Sequence, residues 1–78
     1  MEKLKACFVE ALGIPSDVAF NELAYQKYYG WDSVGHMRLV ATIEEAFGIS
    51  FSTDQIFEMS DFKKAQSILK AHKIVLDS

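Results

Sequence analysis

A chain of 78 residues, half of them apolar and 24% charged, has the material for one packed core, and a single domain over residues 1–78 is expected. A formal charge of −3 without clustered Lys and Arg excludes a nucleic-acid binder, and a single cysteine, Cys7, excludes an intrachain disulfide framework. The longest apolar run, Ala6-Cys7-Phe8-Val9, is too short to insert in a membrane, and no basic stretch leads into an apolar one, so a cytoplasmic protein is expected.

In chain order, Leu4, Cys7, Phe8, Ala11 and Leu12 recur at helical spacing, and Gly13 followed by Pro15 closes that first helix. Residues 14–32 form a long, irregular connection with at most a turn of helix within 21–29. A second helix is expected over 33–47, with Leu39, Val40, Ile43 and Phe47 inward, Arg38, Ala41 and Glu45 outward, and Gly48 as its stop. The alternating stretch 49–54 has no partner strand and reads as an extended loop. Thr53 or Ser52 caps a short helix over 54–58, with Ile56, Phe57 and Met59 partly buried. A last helix over 61–72 takes Asp61 or Ser60 as its cap and turns Phe62, Ala65, Ile68, Leu69 and Ala71 inward, while Lys70, His72 and Lys73 suit its C-terminal dipole. The fold class is all-α: a small four-helix bundle, three main helices plus one short helix, with a long loop between helices 1 and 2.

Acidity concentrates in residues 31–59, where Arg38 stands against Asp32, Glu44, Glu45, Asp54 and Glu58; this face suits a basic protein partner. The segment Gly30-Trp31-Asp32-Ser33-Val34-Gly35-His36-Met37 holds the candidate chemistry. A serine at a helix start is commonly a cap, its hydroxyl accepting a backbone N–H. The alternative is a modified serine, whose exposed hydroxyl stands where a helix N-terminus favours a phosphate. A hydrolase nucleophile is disfavoured: Gly30-x-x-Ser33-x-Gly35 is one residue too long for a nucleophile elbow, and Asp32, Ser33 and His36 are too close in sequence to form a triad. With only His36, His72 and one thiol, no metal site is expected. His36 reads as a semi-buried ring bonded to the loop, or as the mouth of an apolar pocket. Cys7 reads as core, the aromatics Tyr25, Tyr28, Tyr29 and Trp31 as packing for the long loop, and Lys63-Lys64 as a solvated face.

Asp32-Ser33-Val34, at the start of a helix that ends Ile43-Glu44-Glu45-Ala46-Phe47-Gly48-Ile49, resembles an acyl carrier protein over nearly the whole chain. The resemblance implies a stand-alone carrier without enzymatic activity, with 4′-phosphopantetheine transferred from coenzyme A to Ser33 by a phosphopantetheinyl transferase. It implies that Asp32 assists the transferase's magnesium site and that Val34, Arg38, Ala41, Glu44 and Glu45 meet partners. Those partners would be an acyl- or aminoacyl-loading ligase and downstream synthase or transferase enzymes, visited by a monomer. The cargo would be an acyl thioester in fatty-acid-like, polyketide or other specialised biosynthesis, sheltered between the helices. A peptidyl or aminoacyl carrier, including a D-alanyl type, and a helical interaction module whose Ser33 is only a cap are the alternatives. Arg38 and Val34 depart from the fatty-acid pattern, which tends to acidic residues and leucine at these places, and this leaves the cargo open.

Overall fold

The computed structural model describes residues 2–25 and 31–74. Among them are four α-helices in the order α1 Glu2–Leu12, α2 Ser33–Phe47, α3 Thr53–Glu58 and α4 Phe62–Ala71, with a 3₁₀ turn at Phe20–Glu22 in the long connection. The expected bundle is therefore present. Residues 49–52 form no strand, and the only β contact among the described residues is a lone antiparallel bridge between Ala24 and Asp61.

The helices stand where apolar spacing and end signals coincide. On α1, Leu4, Cys7, Phe8, Ala11 and Leu12 are all buried, and on α2 Leu39, Val40 and Ile43 are buried while Phe47 is half-buried. These two stripes face each other and make the main helix–helix contact. Gly13 and Gly48 both have φ of +66°, the left-handed conformation in which glycine closes a helix without a Cβ penalty. Ser52 and Gln55 form a reciprocal capping box on α3, and Asp61 caps α4 through the Lys64 amide.

Phe8 is the hub of the core. Its ring meets the edges or faces of Phe20, Trp31 and Phe62 at centroid distances of 6.4, 5.4 and 5.0 Å, so the long connection and α4 close on α1 through one aromatic cluster. Burying residues such as these at roughly 1.5–3 kcal/mol each gives a small domain most of its driving force.

Three burial expectations need correction. Ala71 is exposed, because at 100° per residue it lies nearly opposite Leu69 on α4. Phe57 is 78% exposed, since α3 turns the neighbouring Ile56 towards the bundle. Met59, which follows the end of α3, is completely buried rather than partly so. A 3₁₀ turn at Phe20–Glu22 overlaps only the start of the stretch 21–29 in which a turn of helix is expected; residues 26–29, with Tyr28 and Tyr29, lie outside the described residues.

A Cβ added at Gly48 meets no atom within 4 Å, so the strain in Gly48→Ala is confined to the backbone. This substitution should cost about 1–2 kcal/mol, read as a lower urea midpoint at unchanged slope. An unchanged midpoint would mean that α2 ends without the left-handed residue.

Candidate functional site

Three consecutive residues at the start of α2 have three different environments. Trp31 is fully buried, whereas Asp32 and Ser33 are exposed. The N-cap is Asp32, not Ser33: the Asp32 Oδ1 atom accepts the Gly35 amide at 2.8 Å, and the Asp32 carbonyl accepts the His36 amide at 2.7 Å. Ser33 is therefore the first helical residue, and its hydroxyl is not spent on the cap. Its one neighbour among the described hydrogen bonds is the Tyr25 hydroxyl, 3.3 Å away in a long, exposed contact that either oxygen can donate. The contrast is with Ser52, whose hydroxyl is occupied in capping α3 at 3.1 Å from the Gln55 amide. The capping alternative for Ser33 is removed by its neighbour.

Beneath Ser33 lies a buried polar relay. The Trp31 indole N–H donates to His36 Nδ1 at 3.0 Å, and His36 Nε2 donates to the Ile56 carbonyl at 2.7 Å. An indole can only donate and a carbonyl can only accept, so these partners require the Nε2–H tautomer. The His36 ring also stacks near Trp31 and Tyr25, at centroid distances of 6.2 and 4.9 Å. His36 is thus the loop-bonded buried histidine of one reading, and it also lines a cleft beside Ser33, as the other reading asked. Both ring nitrogens are engaged away from Ser33, so His36 is not placed to act as its general base. Removing either partner would leave a buried polar group unpaired, at roughly 1–3 kcal/mol.

The relay also positions α3, which contributes no fully buried residue of its own. His36 holds it at Ile56. At the preceding residue, His72 Nε2 donates to Gln55 Oε1 at 3.0 Å, the same oxygen that accepts the Ser52 amide. Tyr25 is anchored by its own amide, which donates to the Ser60 carbonyl at 2.8 Å.

Around this centre, Val34 and Met37 are 65% and 55% exposed, and Arg38, Ala41 and Glu45 also face solvent. Glu44 differs: half-buried, its Oε2 accepts the Phe51 amide at 2.7 Å, which ties the end of α2 to the following loop. Among the described residues no three His, Cys, Asp or Glu side chains gather to hold a metal ion, and no helix is long and apolar enough to cross a membrane. Sequence reasoning missed the Tyr25 contact and the Trp31–His36 bond, because neither follows a helical period. The sequence offered Ser33 as the cap, and that Asp32 takes this place instead follows from the folded geometry.

The family described as "Phosphopantetheine attachment site" matches residues 2–64. The chain is also 31% identical over 72 residues to the acyl carrier protein of Zymomonas mobilis subsp. mobilis, covering 92% of each chain. No solved structure gave a significant match. The chain belongs to the phosphopantetheine-dependent acyl carrier protein family. It is a carrier rather than an enzyme, and its prosthetic group is covalent 4′-phosphopantetheine.

The start of α2 fits such a group. It offers an exposed hydroxyl outside the cap, the unpaired amides of a helix first turn for a phosphate, and a cleft of about 360 Å³ alongside. Cys7 has no part in it. The thiol is buried, and burial, then Glu10, push its pKa up against a smaller opposing effect of Lys3.

Cys7 should therefore resist a disulfide reagent in the folded apo-protein and react fully once denatured, while the holo-protein should show one fast thiol from the arm. Fast labelling of folded apo-protein would contradict the buried placement.

Proposed function

We propose that Ser33 is the attachment residue and that the protein carries acyl intermediates as thioesters for a multi-enzyme biosynthetic pathway of the fatty-acid-like, polyketide or other specialised kind. The observation that carries this reading is the Ser33 hydroxyl, exposed at the first turn of α2 and left out of the cap because Asp32 has taken it. The high coverage of the match to an acyl carrier protein favours acyl cargo over peptidyl or aminoacyl cargo.

The roles of the residues follow from their environments. Ser33 supplies the nucleophilic oxygen in the transfer from coenzyme A performed by a phosphopantetheinyl transferase. Asp32 has a second role available, because among the described residues only its Oδ1 is hydrogen-bonded, and its other oxygen can meet the magnesium ion of the transferase. The buried Trp31 and the relay through His36 anchor the start of α2, and with it the backbone position from which the hydroxyl projects. When attached, the group supplies a terminal thiol that holds the acyl cargo as a thioester and raises its local concentration at each visited enzyme. Val34, Arg38 and Ala41 form the exposed contact surface near Ser33, with Glu45 adding negative charge for Lys or Arg on loading and downstream enzymes. Glu44 contributes the charge of its partly engaged carboxylate.

With coenzyme A, magnesium and a promiscuous transferase, intact mass should rise by one phosphopantetheine in the native chain and not at all in Ser33→Ala. Failure of the native chain with several transferases would return the protein to the interaction-module reading. Asp32→Asn separates the two roles of that residue. It should keep the cap, hold stability within a few tenths of a kcal/mol, and slow modification by roughly 10- to 100-fold. Equal loss of stability and modification would reduce Asp32 to a cap alone.

A further inference from the structure

We propose that His36 is a specificity-determining residue: it floors the cleft beside Ser33 and keeps acyl cargo out of the bundle interior, so the protein suits short acyl groups held at the surface. The proposal rests on the assignment of the arm to Ser33 and narrows the cargo class. It departs from the sheltering between helices that the family resemblance implies.

The cleft lies between α2 and α3, lined mainly by Tyr25, His36, Met37, Ile56 and Phe57, with Ser33 at its edge. At about 360 Å³ it is near the small end of ligand sites. The rim is soft, since Met37 and Phe57 are largely exposed. The floor is not. The His36 ring is 7% exposed and bonded on both sides, to the Trp31 indole and to the Ile56 carbonyl. A chain entering between α2 and α3 at this point has to part His36 from Ile56. A methylene chain can replace neither the donor nor the acceptor, so both are left unpaired in a low-dielectric setting. The interior is already occupied, with Trp31, Leu39, Ile43, Met59 and Leu69 all at 0% exposure, so entry also means displacing packed side chains. A short acyl group avoids both penalties by lying on the apolar rim, where the hydroxyls of Tyr25 and Thr53 remain at hand for a polar end. Longer tails gain only the contact that the rim offers.

The test is a chain-length series. The transferase loads acetyl-, butyryl-, octanoyl- and dodecanoyl-phosphopantetheine from the corresponding acyl-coenzyme A, intact mass confirms each product, and thermal unfolding is followed by circular dichroism. The octanoyl and dodecanoyl forms should melt within about 2 °C of the butyryl form. In His36→Leu, which removes both bonds but keeps an apolar filler, the dodecanoyl form should melt at least about 4 °C above the acetyl form of the same variant. A steady rise of Tm with chain length in the native protein overturns the proposal, and that series stands alone if the variant does not fold. No mass gain with any donor overturns the Ser33 assignment instead, so the two failures are told apart.

Discussion

The hydrogen bond from the Gly35 amide to the Asp32 carboxylate organises the functional end of this molecule. A helix start must satisfy its free amides, and a serine at that place would ordinarily be drawn into the task. Here the preceding aspartate does it. One residue earlier, Trp31 is locked in the core against Phe8 and bonded to His36, which fixes where the chain emerges. The hydroxyl of Ser33 is consequently presented at the surface by a rigid anchor on one side and a satisfied cap on the other. The same arrangement explains why the chain can carry a group without acting on it. The nearby imidazole has both nitrogens committed to structure, so Ser33 has an accessible oxygen but no base from His36.

The remaining architecture supports that presentation. The α1–α2 contact supplies the platform, with α2 projecting Val34, Arg38, Ala41 and Glu45 away from it. The short α3 is attached more by polar contacts than by burial: His36 holds the Ile56 carbonyl and His72 holds the Gln55 amide oxygen. A helix held this way is a defined wall for the cleft beside Ser33, while its Phe57 remains in solvent. The fold thus separates a packed interior from a soft, apolar rim beside Ser33.

Much of the fold was legible in the sequence because α1, α2 and α4 each combine a period-3.6 stripe with an end signal. The span of α2 agrees residue for residue, and the glycine stops after α1 and α2 have the left-handed backbone that their positions demanded. Two of the three burial misreadings have a common physical source. Phe57 and Ala71 are apolar residues in short or terminal helical segments, where composition suggests burial but winding turns them outward. At the site, Asp32 and Ser33 were readable as a pair, yet the division of labour between them depended on which side chain reaches the Gly35 amide. The Tyr25–Ser33 contact and the relay from Trp31 through His36 to Ile56 join residues brought together only by folding, so no local spacing announces them.

Peptide-level localisation of the arm tests the central claim most directly. Trypsin cleavage after Lys27 and Arg38 releases residues 28–38, a peptide in which Ser33 is the only serine. Fragmentation of holo-protein digests should place the phosphopantetheine on Ser33 in that peptide and on none of Ser16, Ser50, Ser52, Ser60, Ser67 or Ser78. Finding the arm on any of those other serines, with residues 28–38 unmodified, would contradict the account.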